Sequence, residues 1–150
     1  MNGFDGTFDV LVAEHGEHDI VAVQRAWKAA GVDCRLTFVQ DGAECLERLN
    51  EMAERGHAVV LLLDWRLPKL HGRDVLRTIR ASPTLHRVPV VVMTSSKDAL
   101  DLEEAYALGA NAFIRKTVHG LSDAIKRTLE FWGSAYLPVL ESAPSALRPV

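Results

Sequence analysis

A chain of 150 residues, 48% apolar and 25% charged, suits a single globular domain large enough to bury a core. Its net charge of −3 offers no basic field to attract nucleic acid, and no apolar run approaches the length of a membrane-spanning helix. Cys34 and Cys45 stand apart with no second pair, which argues against a zinc site, a redox motif or a disulfide framework. The opening "MNGFDGTFDV" lacks the basic region of a signal peptide, so a cytoplasmic protein with reduced cysteines is expected.

Along the chain, short apolar strands alternate with amphipathic helices. "FDVLVA" (8–13) reads as a strand, and "DIVAVQRAWKAAG" (19–31) as a helix with Ile20, Val23, Trp27 and Ala30 at helical spacing and Gly31 as its stop. "CRLTFV" (34–39) alternates with period two. "AECLERLNEMAERG" (43–56) places Leu46, Leu49 and Met52 on one side of a second helix. "AVVLLL" (58–63) is apolar throughout, as a strand covered on both faces must be, and it runs straight into Asp64. "GRDVLRTIRA" (72–81) is a third helix, bounded by Pro83. "VPVVVMT" (88–94) is a second fully apolar strand, "DALDLEEAYALG" (98–109) a fourth helix and "ANAFIRK" (110–116) a fifth strand. "LSDAIKRTLEFW" (121–132) closes the series, with Leu121, Ile125, Leu129 and Trp132 inward. Pro138, Pro144 and Pro149 then prevent helix in a tail, 135–150, whose last ten or so residues are expected to be disordered.

Five strand–helix units without repeat or linker point to an α/β fold: a doubly wound, five-stranded parallel sheet with helices on both faces, occupying 1–134. Sites in such sheets lie beyond the carboxyl ends of the strands. Those ends carry Glu14 and His15 (strand one), Asp64 (strand three), Thr94 (strand four) and Lys116 (strand five). Each alone has an ordinary reading: Asp64 as a turn cap, Thr94 as a strand end, Lys116 as a solvated charge. All of them at ordered strand ends make a site.

With "DWRLPKLHG", "MTS" and "FIRK" in this order and spacing, the chain resembles the receiver domain of two-component response regulators over roughly residues 8–134. "RLPKLHGRDVLRTIRASPTLHRVPVVVMTSS" and "FW" before a short tail are most similar to the stand-alone regulators of phytochrome-type kinases. The resemblance implies the flavodoxin-like strand order 2-1-3-4-5 and Asp64 as acceptor of a phosphoryl group from a sensor histidine kinase. It implies Mg²⁺ held by Glu14, Asp64 and the backbone carbonyl of Arg66, with Lys116 pairing the phosphoryl group and Thr94 donating its hydroxyl to it. Phe113 falls at the family's switch-aromatic position, although an aromatic in a short strand is as readily plain core. No enzymatic activity is implied beyond self-phosphotransfer and slow autodephosphorylation.

The chain departs from the family at three positions. His15 replaces a second acid. A unit charge at ~4 Å and an effective dielectric near 20 is worth ~4 kcal/mol before screening and relaxation, and Mg²⁺ binds poorly to imidazole. A weakened metal site is therefore expected, with His15 as a surface residue that never touches metal being the plainer alternative. Thr117 follows Lys116 where the family usually has a cis proline. Without proline the cis form costs about 2.5–4 kcal/mol, so a trans bond and a less firmly placed Lys116 are expected. Arg66 adds a cation at the rim, or is a solvated arginine.

The leading reading is thus a single-domain regulator whose output is protein contact, with no nucleic-acid or membrane partner. The alternative is a pseudo-receiver that binds partners but has lost phosphorylation. A flavin-binding enzyme is disfavoured because the first turn, "AEHGEHD", is acidic where a phosphate would bind. Leu121, Ala124, Ile125, Thr128, Leu129, Phe131 and Trp132 spread over about 160° of the last helix, more than one sheet face requires. Tyr136, Leu137, Val139 and Leu140 follow at once. A homodimer through Phe131, Trp132, Tyr136 and Leu137 is expected, unless the tail folds back over its own helix.

Overall fold

The computed structural model describes residues 7–140, so the opening segment 1–6 and the expected disorder of 141–150 lie outside the described residues. The elements alternate as β1 (Phe8–Ala13), α1 (Glu17–Ala30), β2 (Cys34–Val39), α2 (Gly42–Glu54), β3 (Val59–Asp64), α3 (Gly72–Ala81), β4 (Val90–Thr94), α4 (Ala99–Ala107), β5 (Ala112–Arg115) and α5 (Leu121–Ser134). All pairings are parallel, in the order β2-β1-β3-β4-β5. The expected architecture is the observed one. Six ends differ by two residues: α1 starts at Glu17, α2 stops at Glu54, β4 starts at Val90, α4 stops at Ala107, β5 starts at Ala112 and α5 runs on to Ser134.

Helix ends follow local chemistry. Gly31, at φ 63°, takes the left-handed conformation that ends α1, a region a side chain disfavours. Asp41 accepts the Glu44 N–H at 2.8 Å to cap α2, and Glu44 Oε2 accepts the Gln40 N–H at 3.2 Å in return. His71 Nδ1 accepts the Arg73 N–H at 2.9 Å at the start of α3, and Asp98 accepts from Leu100 at the start of α4.

The apolar strands divide their side chains between two cores. Val59, Leu61 and Leu63 of β3 pack with Cys45, Leu49, Val75, Leu76 and Ile79 of α2 and α3. Val60 and Leu62 face Val23 and Ala26 of α1 and Leu121, Ile125 and Leu129 of α5. A strand buried on both faces has no polar position to alternate with, which is why its sequence shows no period-two pattern. The loop leaving β3 turns back tightly onto the sheet. A Cβ at Gly72 would stand 2.8 Å from the backbone of Asp64 and Trp65, so only glycine lets α3 begin against the end of β3.

The start of the sheet is closed by a second polar cluster. Asp9, 3% exposed, accepts from Arg35 Nε at 3.0 Å and lies 2.7 Å from His57 Nδ1. The stretch after α5 completes this end. Val139 bridges Ala58, the Leu140 N–H donates to the His57 carbonyl at 2.9 Å, and Leu137 and Leu140 are buried in the two cores. Leu137, expected at an intersubunit face, is therefore a core residue of its own chain, and the expected boundary at 134/135 falls within a packed stretch. Trp132 is likewise half-buried against the α5 core. The tail folds back because two leucines gain more from the open ends of the cores than from water. Burying them is worth about 3–6 kcal/mol, so a chain ending at Gly133 is expected to lose that much stability in urea unfolding; an unchanged midpoint would show the packing to be dispensable.

Candidate functional site

The carboxyl ends of β1, β3, β4 and β5 converge, as parallel strands in register require. Glu14 follows the last residue of β1, Asp64 ends β3, Thr94 ends β4 and Lys116 follows β5. The backbone ties them together: the Glu14 N–H donates to Val39, the Trp65 N–H to Met93 and the Lys116 N–H to Thr94 at 2.7 Å. Glu14 is 1% exposed, Asp64 4% and Thr94 1%. These are groups that burial makes costly unless they are paired.

Lys116 supplies the pairing. Its Nζ lies 2.6 Å from Glu14 Oε2, 2.9 Å from Asp19 Oδ2 and 3.4 Å from Asp64 Oδ1. Burial alone would lower the Lys116 ammonium, but its hydrogen bond to Glu14, the charge of Asp64 and its hydrogen bond to Asp19 outweigh this and hold it above its ordinary range. Glu14 is pushed up, first by burial and further by the charge of Asp64, against the opposing hydrogen bond from Lys116. Glu14 Oε1 accepts the N–H groups of His15 and Gly16, each at 3.1 Å, which fixes the carboxylate at the turn. The Lys116–Thr117 peptide is trans, as Thr117 leads one to expect, since no described peptide bond is cis. Lys116 is nonetheless firmly placed, by carboxylates instead of a proline, and Thr117 Oγ1 accepts from Gly120 at 2.9 Å to close the loop behind it.

His15 enters the site instead of pointing away from it. Its Nδ1 lies 3.4 Å from Asp64 Oδ2. Glu14, His15 and Asp64 each present one donor atom, and these lie within 4.8 Å of one another. The Arg66 N–H donates to Asp64 Oδ1 at 3.3 Å, so the backbone of Arg66 lies against the acceptor carboxylate, while its side chain reaches 3.8 Å from Asp101 Oδ2 on α4. Thr94 Oγ1 accepts from Ser96 at 3.1 Å. Phe113 stands opposite Val92 in the β4–β5 register, two residues before the Thr94–Arg115 pair, and is half-buried on the face shared with α2 and α3. Phe113 and Thr94 thus lie on one face of the sheet.

Asp19 was missed in the sequence. It sits in the first turn of α1, one of two acids in "GEHD", and nothing in its spacing distinguishes it from a residue that merely favours a helix start. Only the fold brings it 97 positions along the chain to Lys116.

The match to known proteins agrees with this geometry. The chain belongs to the response regulator receiver domain family, whose pattern it matches over residues 10–127. It is similar to the response regulator Rcp1 of Synechocystis, with 33% identity over 78% of this chain and 81% of that protein. It is equally similar, at 33% over 83% of each chain, to a probable methanogenesis regulatory protein, FilR2, of Methanothrix harundinacea. Among solved structures, the phosphorylated cyanobacterial phytochrome response regulator RcpA superimposes with a TM-score of 0.80 at 35% identity, covering 88% of this chain and 99% of RcpA. Rcp1 in its Mn²⁺-bound form superimposes with a TM-score of 0.79 at 30% identity and the same coverage. No described helix is long and apolar enough to cross a membrane.

Three carboxylates around one ammonium leave the site over-supplied with negative charge. Asp64→Asn removes one of them while keeping the shape. It is expected to raise the stability of the metal-free protein by about 1 kcal/mol, roughly 3 °C in thermal midpoint; a lower midpoint would mean that the Asp64 charge is compensated in the folded state.

Proposed function

We propose that Asp64 accepts a phosphoryl group from the phosphohistidine of a sensor kinase of the phytochrome type, and that the phosphorylated protein signals by contact with other proteins. The observation that carries this reading is the convergence of Glu14, Asp64, Thr94 and Lys116 at the strand ends, with Lys116 within 3.4 Å of the Asp64 carboxylate. An oxygen of Asp64 forms a bond to phosphorus as the phosphorus–nitrogen bond breaks, and the electron pair returns to the kinase imidazole. Lys116 is poised to leave Glu14 for the arriving phosphoryl oxygens, with Asp19 holding the ammonium near by. Thr94 exchanges its Ser96 contact for a hydrogen bond to the phosphoryl group. Phe113, on the same face, follows as the loop after β4 draws in. An open groove lined by His18, Val21, Arg25, Val118 and Leu121 runs up to Lys116 and gives a partner access.

A divalent ion fits the residues present. Glu14 and Asp64 are buried carboxylates for which, among the described residues, Lys116 at 2.6 and 3.4 Å is the one Lys or Arg side chain in direct contact, and the Arg66 backbone lies beside them. When bound, the ion supplies charge neutralisation for the transferred group. The similarity to Rcp1, whose structure is of a Mn²⁺-bound form, supports a divalent ion. The two free, buried cysteines suit the reducing cytoplasm. Asp64, Thr94 and Lys116 all retain the residues phosphotransfer needs, which favours this reading over the pseudo-receiver.

Intact-mass measurement after incubation with a small phosphodonor and Mg²⁺ is expected to show one phosphoryl adduct that is absent in Asp64→Asn. Persistence of the adduct in that variant would move the acceptor elsewhere. The protein is further proposed to form a two-fold homodimer through Phe131 and Tyr136, which are 60% and 78% exposed, with Leu137 now excluded from that face. Light scattering should give a dimer mass that falls to that of a monomer in Phe131→Glu; a monomer mass for the unaltered chain at high micromolar concentration would remove the interface.

A further inference from the structure

We infer that this site selects a first-row transition ion with affinity for nitrogen, of the Co²⁺ or Zn²⁺ kind, over Mg²⁺, and that His15 is the residue responsible. The inference rests on the divalent-ion site proposed above and concerns which ion fills it. His15 Nδ1 stands 3.4 Å from Asp64 Oδ2, and Glu14, His15 and Asp64 converge with one donor atom each. A nitrogen and two carboxylate oxygens form a mixed donor set. Magnesium demands oxygen ligands in near-ideal octahedral geometry and gains little from imidazole. Imidazole suits the later divalent ions, whose affinities rise from Mn²⁺ through Co²⁺. His15 therefore removes one of the oxygens on which Mg²⁺ depends and substitutes a donor that only the later ions use well.

The surroundings permit ion entry. The imidazole side chain is 47% exposed, so it swings toward the carboxylates without disturbing the core. The Glu14 carboxylate is already fixed by two backbone N–H groups on one oxygen, which leaves the other facing Lys116. Lys116 is the cation an ion must displace, and Asp19, 2.9 Å from its Nζ, retains the ammonium once Glu14 and Asp64 turn to the ion. Asp19 thus lets the ammonium and the metal share one crowded anionic site.

The test is made on the resting 150-residue chain without phosphodonor, so its outcome is independent of whether Asp64 is the acceptor; the intact-mass experiment scores that separately. Co²⁺ and Mg²⁺ are titrated calorimetrically into the unaltered protein and into His15→Asp, both in a His18→Gln, His119→Gln background that removes the two histidines lining the neighbouring groove. The expected result is a Co²⁺-to-Mg²⁺ affinity ratio that falls roughly tenfold or more in His15→Asp, with Mg²⁺ binding tightened. Pulsed electron paramagnetic resonance of the Mn²⁺-loaded protein is expected to show coupling to a directly bound nitrogen that His15→Gln abolishes. An unchanged affinity ratio, or nitrogen coupling that survives in His15→Gln, would overturn the inference.

Discussion

The structure turns on one ammonium group held among three carboxylates. Lys116 is 11% exposed at its side chain and lies within 3.4 Å of oxygens from Glu14, Asp19 and Asp64, which arrive from three different elements. Removing one partner of a buried ion pair leaves a charge that costs several kcal/mol, whereas the intact pair contributes little net stability. Such a cluster is therefore maintained for what it can exchange. Under the proposed function, a divalent ion and a phosphoryl group together would satisfy the carboxylates and the ammonium more completely than they satisfy one another. The resting site is stable but poised.

This tension is tolerated because the rest of the fold is rigid. Two apolar layers clamp β1, β3 and β4, and the opposite end of the sheet is sealed by the Asp9–Arg35–His57 cluster and the returning tail. The same residue type plays opposite parts at the two ends. Asp9 is buried against two basic side chains and fixes β2 and the entry to β3 to the start of β1. Asp64 is buried against one shared ammonium and remains available for chemistry.

The element best suited to transmit a change is α4. Only Ala105 among its residues is buried, while Leu100 is 68% and Tyr106 49% exposed. Its attachment to the α3 side runs through ion pairs, Arg66 with Asp101 and Arg73 with Glu104. Ion pairs at a surface are weak and exchange readily, and a segment with little buried apolar area lies at the low end of local stability. Arg66 is two residues from Asp64, so charge added at Asp64 by the proposed phosphorylation would compete directly with Asp101 for its guanidinium. A movement of Thr94 and a release of α4 would then share one electrostatic cause.

The sequence alone determined the five strands, their helices and four of the groups at the strand ends, because a doubly covered parallel sheet writes continuous apolar runs and its polar residues can stand only where the strands stop. Residue identity also marked His15 and Thr117 as departures with consequences for the metal and for Lys116. What the sequence did not determine were contacts whose partners carry no local signature. Asp19 looks like any acid in a first helical turn, Asp9 breaks the apolar pattern of β1 without naming Arg35 or His57, and Leu137 reads as an interface residue although its own core covers it. Periodicity reports which side of an element is apolar, but not which surface covers it. That choice belongs to the tertiary structure, because it depends on where the open ends of the two cores fall and which charges the finished sheet brings within reach.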